Sequence, residues 1–236
     1  MKYYLNISMA ALLVMLLLGA CKKEKQDPEE DLPESKITLT KAADDNTGWR
    51  LEIQSSLPYT PESVWIDLNN NGVKDNGEGL AKAGTSETFP LSAKTITVYG
   101  KVYTLICNNN KLTSLNVSGN KYLSYLSCTG NELTQLDVSK SEGLRTLLCN
   151  SNKLITLDLS KNTDLNHIYV ARNAIAGENM KQFLNNIPAR PSDGKGILRL
   201  MEAPDGNSRP AAADLNACKG KNWIIQEWKD SQWKEM

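Results

Sequence analysis

Leu105-Ile106-Cys107-Asn108-Asn109-Asn110-Lys111-Leu112-Thr113-Ser114-Leu115-Asn116-Val117-Ser118-Gly119-Asn120 returns 21 residues later as Leu126-Ser127-Cys128-Thr129-Gly130-Asn131-Glu132-Leu133-Thr134-Gln135-Leu136-Asp137-Val138-Ser139. It returns again from Leu147 through Cys149, Asn152, Leu154, Leu157 and Leu159, and a fourth time with Ile168, Val170, Asn173 and Ile175. Such agreement in several columns over four units decides the architecture. Within a unit, Leu126 and Cys128 alternate with Tyr125 and Ser127, the period of a strand with one buried face. Equivalent strands then stack in parallel about 4.8 Å apart, and like side chains form ladders. The asparagine sits where the chain turns, and its amide can satisfy backbone groups of the neighbouring coil. Leu115 and Val117, Leu136 and Val138, and Leu157 and Leu159 line the opposite wall. No unit is long enough to hold a full helix there.

The unit L-x-x-L-x-C-x-x-N-x-L, continued as L-D-V-S-x-N, has the leucine-rich-repeat pattern and resembles the internalin-type repeat with a cysteine ladder. The match covers residues 102–175, and more loosely the chain beyond 176. Similar repeats occur in surface adhesins of Gram-positive bacteria and in Bacteroidetes lipoproteins. The resemblance implies a non-catalytic scaffold that recognises a protein or a host surface. The expected fold is mainly β with short helices: a leucine-rich-repeat solenoid with an N-terminal β subdomain or cap and an α/β C-terminal cap.

The N-terminus supplies an address. Lys2 precedes the apolar run from Met9 to Leu18, a signal-peptide core too short to span a bilayer. It ends in Leu18-Gly19-Ala20-Cys21, which reads as a lipobox with Cys21 as the lipidated residue. The expected organisation is a signal peptide over 1–20, a flexible charged tether over 21–35 and a small β subdomain over 36–100. Repeats follow over 101–175 and a strand–helix cap over 176–236. The charges after Cys21 resemble export signals of surface lipoproteins, which implies an outer-membrane lipoprotein exposed at the cell surface. Membrane attachment is through the lipid alone. With formal net charge +0 the chain has no bulk attraction for nucleic acid.

Of five cysteines, Cys107, Cys128 and Cys149 point the same way from adjacent strands. They read as reduced thiols packed as small hydrophobes, as does Cys218. Strands are expected at Ile37–Thr40, Trp49–Ile53, Ser63–Ile66 and Thr95–Tyr99, the last capping the first coil. Between them, Asp67, Asn69, Asn71, Val73 (through its carbonyl), Asp75 and Glu78 fill positions 1, 3, 5, 7, 9 and 12 of a calcium loop, with Gly72 at the sharp turn. Structural calcium is the expectation. The alternative is an Asx-rich turn that holds itself without metal. Beyond Ile175 the pattern predicts a helix from Glu178 to Ile187 stopped by Pro188, a strand Gly196–Leu200, a helix Arg209–Lys219 and a final strand Trp223–Trp228.

No nucleophile elbow, phosphate-cradling loop or thiol–histidine spacing appears, and His167, the one histidine, reads as a strand residue. The expectation is no enzyme. The outward strand face should present Thr104, Ile106 and Asn108, then Tyr125, Ser127 and Thr129, then Thr146, Leu148 and Asn150, and then His167, Tyr169 and Ala171. Tyr125, Leu148, His167 and Tyr169 would form an aromatic centre for a protein or surface receptor, rimmed by Arg145 and Arg172. The bland reading is a solvated sheet of strand-favouring residues. The alternative function is glycan binding for a nutrient-uptake system, which requires exposed tryptophans among Trp65, Trp223, Trp228 and Trp233.

Overall fold

In the computed structural model the described residues are 35–55, 64–80, 84–203 and 206–236. The expected signal segment, the lipidation residue Cys21 and the tether up to residue 34 lie outside them. The chain from β1 (Lys36–Lys41) onward builds two sheets. In chain order the strands are β2 (Trp49–Ser55), β3 (Val64–Asp67), β4 (Ser86–Phe89), β5 (Thr95–Gly100), β6 (Val102–Ile106), β7 (Leu112–Gly119), β8 (Tyr125–Ser127), β9 (Thr146–Leu148) and β10 (His167–Tyr169). They continue with β11 (Gly196–Glu202), β12 (Trp223–Lys229) and β13 (Gln232–Glu235), and two short helices, α1 (Gly177–Asn186) and α2 (Ala212–Lys219), lie among them.

The larger sheet has the order β13-β12-β11-β10-β9-β8-β6-β2-β4. Its middle six strands run parallel, as the repeat predicts. Leu105, Leu126, Leu147 and Ile168 lie in one register and are buried. The cysteine column continues the ladder through Cys107, Cys128, Cys149 and Val170, all at 0% exposure. Burying such columns, at about 25 cal/mol per Å² of apolar surface, is what holds coil to coil. Opposite them, Leu115, Val117, Leu136, Val138, Leu157 and Leu159 close the core.

The asparagine column is a second ladder. Asn131 Oδ1 accepts from the N–H groups of Asn110 and Leu112 at 3.0 Å each, and its Nδ2 donates to the carbonyls of Cys107 (3.0 Å) and Cys128 (2.8 Å). Asn152 and Asn173 repeat this one coil further on. Asn110 instead bonds the Arg50 backbone of β2, and Asn207 bonds Ile175, Val170 and Leu200. Each turn also passes through the left-handed region, at Asn109, Gly130, Ser151 and Arg172. At Gly130, with φ 68°, an added Cβ would lie 2.1 Å from Asn109 Oδ1, so a larger residue there would require the Asn109 side chain to move.

The N-terminal strands do not form a module of their own. β1, β3 and β5 join β7 of the first repeat in a four-stranded sheet of order β3-β5-β1-β7. β2 and β4 instead extend the larger sheet antiparallel from β6. The strand that covers the first coil is therefore β2, not the expected Thr95–Tyr99, which lies in the opposite wall. Residues 34–236 are one compact unit. A buried ion pair staples the β1–β2 turn: Lys41 Nζ donates to Asp45 at 2.7 Å and to three oxygens of Thr47 and Gly48.

At the other end α1 buries Met180, Phe183 and Leu184, and Ile187, just past it, is also buried. α2 starts at Ala212 rather than the expected Arg209, because Pro210 holds the preceding residues extended. Among the described residues no helix is long and apolar enough to cross a membrane.

Candidate recognition surface

Two rows of side chains cross the outer face of the parallel strands. Register places Thr104, Tyr125, Thr146, His167 and Ile197 in one row, and Ile106, Ser127, Leu148, Tyr169 and Arg199 in the next. Tyr125, Leu148 and Tyr169 are half-buried and His167 is exposed, so these four expected residues do share one face. Ser127, Asn150 and Ala171, which alternation also put outside, are buried. Ser127 donates to Asn108 Oδ1 at 2.8 Å and Thr129 donates to Asn150 Oδ1 at 2.8 Å, so this edge of the face is a ladder spent on itself. Alternation fails there because the strands end at Ser127, Leu148 and Tyr169, and the following residues enter the turn.

Of the two expected rim residues, Arg145 is exposed. Arg172 is held down: its guanidinium donates to the Ala203 carbonyl at 3.0 Å and lies 3.7 Å from Glu202. Glu202 also accepts from the Tyr169 hydroxyl. Burial and this carboxylate push the Tyr169 phenol well above its ordinary range.

The hairpin of β12 and β13 brings Trp233 back across the face. Its ring meets Tyr169 edge-on at 5.2 Å and Trp228 at 5.4 Å. Trp228 is 40% exposed, whereas Trp223 is buried and donates Nε1–H to the Pro188 carbonyl. Trp65 is half-buried and stacks on Tyr99 at 4.4 Å, in the other sheet. Trp223 thus packs inside the cap, while Trp228 and Trp233 belong to the surface. Arg199, Glu202 and Gln226 belong to this corner and were not among the expected site residues. Gly196–Leu200 read as a strand, but the 30-residue step from Ile168 to Leu198 breaks the repeat, so nothing in the spacing tied Arg199 to Tyr169.

At the opposite end, Arg50, Glu52 and Ser86 border a polar cleft of about 360 Å³ with Ile106 and Asn108. Burial and the nearby Glu52 carboxylate raise the Tyr125 phenol. The face thus runs from a polar cleft, over apolar side chains, to an aromatic corner.

The loop from Asp67 to Glu78 closes through its own groups. Asp67 accepts from the N–H of Asn71 (3.0 Å) and of Gly72 (2.7 Å). Glu78 accepts from Leu68 and Asp75 at 2.8 Å each, and both Asn69 and Asn71 donate their amides to Asp75 Oδ2 at 2.9 Å. Val73 is 60% exposed at the tip. Among the described residues no three His, Cys, Asp or Glu side chains converge as a metal-holding group. The donor types suit calcium, but an ion would need the two amides turned so that their oxygens point inward.

The thiols are not a reactive site. Cys107, Cys128, Cys149 and Cys218 are free and buried, and burial pushes Cys128 up to about 12 and its two ladder neighbours well up as well.

No protein-family model matches the chain, and no curated protein matches it. Among solved structures, it is similar to the functional domain of InlJ from Listeria monocytogenes, which includes a cysteine ladder, at 22% identity with a TM-score of 0.35. That alignment covers 48% of this chain and 28% of the other. It is also similar to the internalin inlF from Listeria monocytogenes str. 4b F2365, at 17% identity and a TM-score of 0.34, over 52% of this chain and 46% of that one. The chain spans less than half the length of either, and the likeness to these internalins is weak and partial.

Proposed function

We propose that this chain is a non-catalytic leucine-rich-repeat protein of the bacterial surface, anchored through a lipid on Cys21, that binds a partner protein on the outer face of its parallel strands. The observation that carries the reading is the cross-strand register, which sets Ile106, Leu148 and Tyr169 in one row beside Tyr125 and His167. A row of half-buried apolar and aromatic side chains on a rigid stack has the composition of an interface centre. A glycan partner is the second reading, favoured by the exposed ring of Trp228.

The test is a random peptide display library panned against the mature protein and against Leu148→Glu. Clones that need Leu148 are expected. Equal recovery on both would refute the face, and capture of neutral oligosaccharides alone would move the assignment to glycans. Anchoring is read separately, from incorporation of labelled palmitate that Cys21→Ala abolishes.

We also propose that the Asp67–Glu78 loop takes calcium through Asp67, Asn69, Asn71, the Val73 carbonyl, Asp75 and Glu78, stiffening the connection after β3. Support comes from the spacing of the donors along the loop, in which Asp67, Asp75 and Glu78 each accept from groups of the same loop.

A further inference from the structure

Arg199 has donors that the fold does not use. Its guanidinium lies 5.0 Å from the Trp233 ring centroid and 5.9 Å from that of Tyr169. Its Nε–H is shut off from solvent with no hydrogen-bond partner, and Arg199 enters none of the ion pairs among the described residues. The carboxylates around it are engaged elsewhere: Glu202 with Tyr169 and Arg172, and Glu227 with Arg209. Directly opposite on β12, Gln226 keeps a buried Oε1 that also lacks a partner. The Arg199 N–H left this way costs stability unless an acceptor completes it, whereas the Gln226 oxygen needs a donor.

We propose that Arg199, framed by Tyr169 and Trp233, is the anchor for an aspartate or glutamate side chain of a partner protein bound across the strand face. The two rings hold the guanidinium in place by cation–π contact and thin the water around it. Its fork of N–H groups then matches a carboxylate in a way a lysine would not. A peptide fits better than a sugar. Tyr169 and Trp233 meet at 87° and Trp233 and Trp228 at 66°, so much of their ring area is turned toward each other rather than laid open for a pyranose. Ile106, Leu148 and Ile197 continue the surface as half-buried apolar positions suited to neighbouring peptide side chains. The proposal rests on the strand-face reading above, and adds to it the charge of the partner and the residue that reads it.

The experiment pans random displayed peptides against the mature protein, R199Q and R199K. Peptides selected by the unaltered protein are expected to share an acidic residue at one position. Changing that residue to its amide, or using R199Q, should weaken each synthetic peptide by on the order of tenfold. R199K should recover only part of the loss. Because R199Q loses ring contacts, the ¹⁵Nε resonance of Arg199 in the unaltered protein is followed as well; it should shift on addition of an acidic peptide and stay put with the amide analogue. Peptides with no acidic preference, unchanged affinity for R199Q, or selective capture of polyuronate without acidic peptides would each overturn the proposal. If Leu148→Glu abolishes binding while R199Q does not, the strand face stands and only the role of Arg199 falls. No selected peptide at all removes both.

Discussion

Asn152→Ala tests how the coils are joined. The Asn152 side chain accepts from Leu133 N at 3.1 Å and donates to the carbonyls of Cys128 at 2.9 Å and Cys149 at 3.1 Å, all of it buried. Alanine leaves the Leu133 N–H in the core with nothing to bond, while each carbonyl keeps one donor, Asn131 Nδ2 on Cys128 and Asn173 Nδ2 on Cys149. The orphaned N–H costs about 1–3 kcal/mol and the two bonds lost at carbonyls that stay paired add about 0.5 kcal/mol each, so the loss should be about 3 kcal/mol. A domain of this kind holds about 5–15 kcal/mol in all. With a urea slope of about 2 kcal/mol/M, the unfolding midpoint should fall by about 1.5 M. Asn150→Ala, two residues away, is the internal control. Asn150 Oδ1 accepts a single hydroxyl, from Thr129, and its loss should cost about 1 kcal/mol. Asn152→Asp should be no better than alanine, since an oxygen would then face two carbonyl oxygens. If Asn152→Ala stays within about 1 kcal/mol of the unaltered protein, or matches Asn150→Ala, the amide ladder is not what joins the coils.

The buried carboxylate Asp45 supplies a pH signature. Its bond from Lys41 and those from Thr47 hold its pKa down at about 2, against 3.8 for an ordinary aspartate, so its stabilisation is complete above about 4 and is lost as pH falls toward 2. Asp45→Asn should flatten that part of an acid-unfolding curve and, by leaving Lys41 buried and uncompensated, cost about 3 kcal/mol at neutral pH; an unchanged acid limb would contradict the linkage. The ladder thiols should resist a thiol-specific reagent at pH 8 until urea unfolds the chain, when all three react together, and stepwise labelling of the folded protein would disprove their burial. Calcium should raise the melting temperature of the protein, and Glu78→Gln should erase that shift; a shift that survives Glu78→Gln, or none at millimolar calcium, removes the metal from the loop.

The repeat told most of the architecture because its side chains meet only their equivalents in the neighbouring coils, 21 positions away on either side. Cys128 finds Cys107 and Cys149, and Asn131 finds the backbone of its neighbour, without any choice of topology. The N-terminal strands offered no such constraint. Trp49–Ser55 and Thr95–Gly100 alternate equally well, and nothing local says which joins β6 and which lies beside β1 in the other sheet. The same limit hid half of the surface. Tyr125, Leu148 and Tyr169 were legible as one face, but Trp233 reaches Tyr169 through a hairpin whose direction depends on Asp230 and Ser231, both at positive φ. Arg199 lay beyond the last regular step, and Asn207 likewise stands 34 residues rather than 21 from Asn173 in the amide ladder it extends.

The amide ladder also has a consequence for how such a chain can change over generations. Because each turn bonds the coil before it through the same atoms, excising residues 128–148 would join Ser127 to Cys149 and leave every remaining coil with a suitable neighbour. The strand face would shorten by one inter-strand step, about 4.8 Å, drawing Arg199 toward the Glu52 cleft by that amount. Duplicating the same segment would move them apart equally. The stack thus works as a ruler graduated in whole coils, and the span between two features that a bound partner must match can be lengthened or cut without redesigning either one.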